Sequence, residues 1–170
     1  MQKVTSAYAN KILRSLEEDK DFWRSKEKES YTYVAAINEK PVIPEYDYSE
    51  VAATIEAIDQ KIARIKHALN LSNATAKVKV GDSEMSVDMI LVKMAQYNKR
   101  KDFLDLMRKQ LPKSREMIHY RARNAVPEYR YINYDLETVK KDYERISQII
   151  MEMQIALDQY NQTVTFEVEI

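Results

Sequence analysis

The sequence contains no cysteine and a single glycine, Gly81. Without cysteine it can form no disulfide framework, thiolate nucleophile or zinc–thiolate centre. One glycine excludes the phosphate loops of P-loop and dinucleotide-binding proteins, which need several glycines close together. Two histidines, His67 and His119, cannot supply a three-histidine metal site; both read as structural or solvated residues. Apolar runs are short, Met89 to Val92 being among the longest, so none spans a bilayer. The opening MQKVTSAYANK lacks the apolar centre of a secretory leader. An excess of either charge is also missing: Lys+Arg and Asp+Glu number 27 each. Duplex nucleic acid binding draws on many uncompensated cations, so it is not expected. Most enzyme templates therefore lose a part. The expectation is a cytoplasmic protein with no cofactor, no metal, no membrane partner and no duplex nucleic acid partner.

What is present is helical patterning. At 170 residues the length suits one domain covering 1–170. Val4, Tyr8, Ile12, Leu16 and Trp23 recur at helical spacing and predict a first helix over 4–37. Pro41 and Pro44 interrupt the chain, and Asp47 with Glu50 three residues on marks the start of a second helix. Its apolar seam is a regular heptad: Val51, Ile55, Ile58, Ile62, Ile65, Leu69. NLSNAT (70–75) reads as the turn that ends it, AKVKV (76–80) as a strand, and Gly81-Asp82 as a turn. A third helix is expected over 86–111, stopped by Pro112. Lys101 and Arg108 fall where its seam calls for apolar residues; either the seam drifts toward Phe103 and Met107 and leaves both cations on the rim, or Lys101 or Arg108 faces an anion. After Asp135 a last helix carries Leu136, Val139, Tyr143, Ile146, Ile150, Met153, Leu157 and Tyr160 as a second clean seam. TVTFEVEI (163–170) reads as a strand. The fold class is mainly α with a small antiparallel β-sheet (α+β), with strands near 76–80, 115–123, 128–133 and 163–169. The four long helices would form antiparallel hairpins or a bundle in a homo-oligomer such as a tetramer.

The least ordinary stretch is HYRARNAVPEYRYINYD, His119 to Asp135. It holds Tyr120, Tyr129, Tyr131 and Tyr134 with Arg121, Arg123 and Arg130. Alternation suggests two strands joined around Asn124 to Pro127. Tyrosine is a strong strand former, and arginine stacks on tyrosine or pairs with Glu116, Glu128 or Asp135, so an exposed sheet accounts for the pattern. Tyrosine and arginine are also enriched at subunit interfaces. Alternate residues face opposite ways, so Arg121 and Arg123 share one face, as do Tyr129 and Tyr131.

The order of KILRSL, EKPVIPEYDYSEV, HALNLSNAT and MQIALDQYNQTVTFEV resembles a bacterial and phage family of uncharacterised helical proteins often labelled septicolysin. In that family an Asn/Thr-rich turn follows the second helix and an Arg/Tyr strand precedes the last. The matching positions are Asn70, Asn73 and Thr75; Tyr120, Arg121 and Arg123; and Gln154 and Asn161. The chain departs from the family at Gln162, where tryptophan is usual. In overall style it also resembles the helical, oligomeric phage proteins that sequester the cyclic nucleotide signals of bacterial antiviral defence, the anti-CBASS sponges.

A cyclic dinucleotide such as cGAMP needs cations for two phosphates, planar groups for base stacking and amides or hydroxyls for base edges. Arg121, Arg123 and Arg130 are the candidates for phosphate. Tyr120, Tyr129, Tyr131 and Tyr134 are those for stacking, and Asn70, Asn73 and Thr75 those for edges. The expected function is non-catalytic sequestration of such a ligand in the cytoplasm of the bacterial host cell. The alternative is an oligomeric helical scaffold with no small-molecule ligand. Catalysis has little support, because Glu116 and Glu128, the carboxylates beside the Arg/Tyr stretch, come with no nucleophile–base pair.

Overall fold

The computed structural model describes residues 1–116 and 126–169. Among the described residues there are four long helices and short antiparallel β-ribbons, the α+β class expected. The elements are β1 (Gln2–Thr5), α1 (Ser6–Ser30), α2 (Tyr48–Thr75), β2 (Lys77–Val80), β3 (Ser83–Ser86), α3 (Val87–Arg108), β4 (Lys113–Arg115), β5 (Tyr129–Tyr131), α4 (Leu136–Thr163) and β6 (Thr165–Val168). The strands make three two-stranded ribbons, β1–β6, β2–β3 and β4–β5. The residues group into two compact units: Met1–Ala76 with Asp158–Ile170, and Lys77–Leu157. No helix among the described residues is long and apolar enough to cross a membrane.

In the first unit α1 and α2 run antiparallel. Lys20 meets Asp59 at 2.5 Å and Glu17 meets Lys66 at 3.3 Å. The seam residues Ile58, Ile62 and Ile65 of α2 are buried with Val4, Ala9, Leu13 and Val168, and Trp23, Leu69 and Phe166 close the edges. Thr5 caps α1 by accepting the Tyr8 N–H, and Asp47 caps α2 by accepting those of Ser49 and Glu50. Such caps satisfy backbone donors that have no partner within the helix.

In the second unit Leu104, Val139 and Ile146 form the centre, with Tyr97, Met107, Tyr134, Tyr143 and Ile150 packed around them. Met107 packs on this core, and Lys101 and Arg108 are partly exposed at its rim. Both lie over the ring of Tyr143, at 5.5 Å and 3.9 Å from its centroid. A seam position can hold a cation when an aromatic face receives it. Phe103, meanwhile, is exposed. Gly81 turns the β2–β3 hairpin with φ of +58°, a conformation glycine adopts without strain.

The ribbons expose an internal repeat. The order β1–α1–α2–β2 recurs as β3–α3–α4–β6. Lys20-Asp21-Phe22 returns as Lys101-Asp102-Phe103, and Tyr46-Asp47 as Tyr134-Asp135. At the same offset as the second pair, Val51, Ile58, Ile62, Ala68-Leu69, Asn73, Thr75 and Val80 return as Val139, Ile146, Ile150, Ala156-Leu157, Asn161, Thr163 and Val168. The registers agree with this alignment. Gln2 pairs Val168 and Thr5 pairs Thr165 in one ribbon; Ser83 pairs Val80 and Ser86 pairs Lys77 in the other. The first strand of each repeat therefore pairs with the last strand of the other, a reciprocal strand exchange. Details recur too. Thr75 and Thr163 each donate to the carbonyl four residues back, Leu71 and Gln159. Ser72 and Tyr160, which occupy equivalent places, share a hydroxyl–hydroxyl hydrogen bond of 2.7 Å.

Several boundaries differ from the sequence expectation. The first helix spans Ser6–Ser30, because residues 2–5 pair with β6 and Tyr31 to Val34 are weak helix formers that stand exposed. NLSNAT is helix, not a turn. Leu69 packs on the core, Ser72 is bonded to Tyr160, and the Ala76 N–H still reaches the Ser72 carbonyl. The third helix ends at Arg108, ahead of Pro112. The described part of the 115–123 strand begins earlier, at Lys113.

Ser6 is buried and its hydroxyl has no partner among the described residues. The equivalent position in the second repeat is Val87, also buried. An unsatisfied buried hydroxyl costs about 1–3 kcal/mol. Ser6→Ala should therefore raise stability by about 1 kcal/mol, read as a higher denaturation midpoint, with Ser6→Val at least as stable.

Candidate functional site

The concave feature that holds predicted site residues lies in the second unit, between the end of α3 and the β4–β5 ribbon. It is a groove of about 530 Å³. Phe103, Leu106, Met107 and Leu111 form its apolar floor. Ser114, Arg130, Tyr131, Asn133 and Tyr134 line it from the ribbon and the approach to α4.

The ribbon sets which group faces where. Lys113 pairs with Tyr131, Ser114 with Arg130 and Arg115 with Tyr129. Tyr129 and Tyr131 share a face, as their spacing requires, and the Lys113 ammonium lies 4.3 Å and 5.5 Å from their ring centroids. Arg130 forms a two-pronged pair with Glu116, both contacts being 2.7 Å. The guanidinium holds the Glu116 carboxyl below the ordinary glutamate range, and Glu116 raises Arg130 in return. Both partners are substantially exposed. An exposed pair of this kind adds little to the stability of a fold, and the guanidinium fork that it occupies is equally suited to phosphate oxygens.

Tyr134 lines the groove and is also tied to α3. Its hydroxyl donates to the Met107 carbonyl at 2.6 Å and its ring packs on the Leu104 core. Tyr46, its counterpart in the first repeat, donates to Glu27 on the last turns of α1. Both tyrosines strap a helix end to the start of the next helix. Asp135 then caps α4, accepting the Thr138 hydroxyl and the Glu137 N–H, which hold its carboxyl below the usual aspartate range.

Tyr129, Arg130, Tyr131 and Tyr134 thus belong to one ribbon and the approach to α4. Asn70, Asn73 and Thr75 lie on the last turns of α2, in the first unit. The Thr75 hydroxyl is engaged by Leu71, and the Asn73 side-chain oxygen is buried without a partner among the described residues. Tyr120, Arg121 and Arg123 lie outside the described residues. Sequence reading missed Lys113 and the apolar floor. Lys113 was detectable by extending the strand back to Pro112, which places it opposite Tyr131. Phe103 was detectable as a bulky apolar residue kept at the exposed position of both Lys-Asp-Phe copies. Among the described residues no three His, Cys, Asp or Glu side chains converge as a metal site.

Compared with known proteins, the chain matches no family model, no curated protein and no solved structure.

Proposed function

We propose that the protein binds a nucleotide second messenger, a cyclic dinucleotide such as cGAMP, and sequesters it unaltered. The observation that carries this reading is the meeting of Arg130, Tyr131 and Asn133 along one groove with an apolar floor. These supply a fork for phosphate, a ring face for a base and an amide for a base edge. The groove's volume lies within the usual range for small-molecule sites. In a virus-infected bacterium, a protein of this kind made in quantity would lower the free concentration of a defence signal by stoichiometric capture. The resemblance to phage sponge proteins leads to the same reading.

The test is calorimetric titration with cyclic di- and trinucleotides, followed by recovery of the ligand after denaturation. Saturable binding and intact recovered ligand are expected. Arg130→Ala and Tyr131→Ala should each weaken binding about tenfold, the loss of roughly one charged hydrogen bond or one stacked base. Absence of binding to every member of the panel sinks the proposal, and a cleaved product replaces it with phosphodiesterase chemistry.

A second reading, the oligomeric scaffold, draws on the connection between α1 and α2. Val34, Ile37 and Val42 there are almost wholly exposed. Large exposed apolar groups concentrated in one segment suit an assembly surface.

A further inference from the structure

The repeat provides an internal comparison of what one fold carries in two copies. A second cleft of the second unit, about 340 Å³, lies between α3 and α4. Leu104 and Val139 form its apolar floor, and Arg100, Lys141 and Arg145 line it with Asp142 and Thr138. In the first repeat the floor positions hold Trp23 and Val51, so the apolar framework is kept. The charged positions are not. Asp19, Ala53 and Ala57 stand where the second repeat has Arg100, Lys141 and Arg145, and Glu50 stands where it has Thr138. The same place on the same framework is acidic in one copy and cationic in the other.

This cationic set does not follow from composition, because the chain as a whole is electrically neutral. Nor is it explained by local ion pairing. Arg145 is held by Asp142 through Nε at 3.0 Å and Nη2 at 2.6 Å. Arg100 and Lys141 form no salt bridge among the described residues. Like charges gathered at a concave surface repel one another, and their field concentrates anions there. The first repeat shows that the framework does not need them.

We propose that this cleft binds a phosphorylated small molecule, with Arg100, Lys141 and Arg145 holding the phosphate oxygens. A guanidinium fork, a point-charge ammonium and a second guanidinium oriented by a carboxylate match a diphosphate better than a single-charge anion. The site is separate from the groove that Arg130 and Tyr131 line, and neither proposal depends on the other.

The experiment uses the full chain and two probes, inorganic diphosphate and ADP, titrated calorimetrically at an ionic strength of about 0.15 M. The test variant carries Arg100→Asp, Lys141→Ala and Arg145→Ala, residues that the first repeat holds at those positions. A charge-matched control carries Lys11→Asp, Lys61→Ala and Arg64→Ala on exposed helix positions of the first repeat. Saturable binding of at least one probe is expected, weakened by at least about tenfold in the test variant and by less than about threefold in the control, since exposed charges that do not line the cleft are screened by solvent and salt. Tighter binding of ADP than of diphosphate identifies a nucleotide, and equal binding identifies the diphosphate group alone. The proposal is overturned by absence of binding to both probes, by equal weakening in the two variants, or by binding that survives the test variant.

Discussion

Replacing Leu104 with alanine should destabilise the protein by about 3 kcal/mol, within the usual range for emptying a buried leucine site. Leu104 is 1% exposed at the centre of the second unit, where Val139 and Ile146 meet it and the rings of Tyr97, Tyr134 and Tyr143 surround it. Alanine removes the branched end of the side chain and leaves a cavity that these rings, held by a hydroxyl bond at Tyr134 and by cations over Tyr143, cannot readily fill. The neighbouring Phe103 is 54% exposed. Phe103→Ala should therefore cost less than about 1 kcal/mol despite removing more atoms. Urea unfolding followed by far-ultraviolet circular dichroism gives both values. Similar losses for the two variants would mean that Leu104 is not the centre of this core.

An equally large loss is expected for Ile65→Ala in the first unit, about 3 kcal/mol. Ile65 is fully buried on the α2 seam. The equivalent residue on α4 is Met153, also buried. Ile65→Met preserves volume and places there the residue used by the other repeat, so its cost should stay below about 1.5 kcal/mol. The contrast separates a requirement for apolar volume from one for a β-branched shape. If Met proves as damaging as Ala, the two seams are not interchangeable.

The helices were legible because each carries its evidence locally. The isoleucines of α2 and the mixed seam of α4 repeat at heptad spacing, and Asp47 and Asp135 mark the helix starts. The strands β1 and β3 were not legible. Each has four residues, and what makes β1 a strand is a partner at 165–168. The end of α2 was misread because Asn, Ser and Thr favour turns locally, whereas Ser72 and Leu69 are fixed by tertiary contacts that override propensity. In the candidate site, the alternation of Tyr129, Arg130 and Tyr131 was sound. The capture of Arg130 by Glu116 was among the pairings considered, while the strapping role of Tyr134 depends on where α3 ends and has no local signature. The repeat was present in the sequence as two Lys-Asp-Phe and two Tyr-Asp pairs. It is hard to see because the two α–α connections differ in length, so no single offset aligns both helices.

Reciprocal strand pairing also has a kinetic side. The segment 2–5 leaves the ribosome well before its partner at 165–168. Until then the buried side chain of Val4 and one edge of its ribbon have no cover. Closing so large a loop of chain carries an entropic cost before any contact repays it, which slows folding relative to a helical protein of purely local contacts. The β2–β3 hairpin, closed by Gly81 and Asp82 alone, has no such wait. Two ribbons with the same register are thus separated in time, one able to assemble as soon as its hairpin is made and the other only after all four helices between its strands have been made.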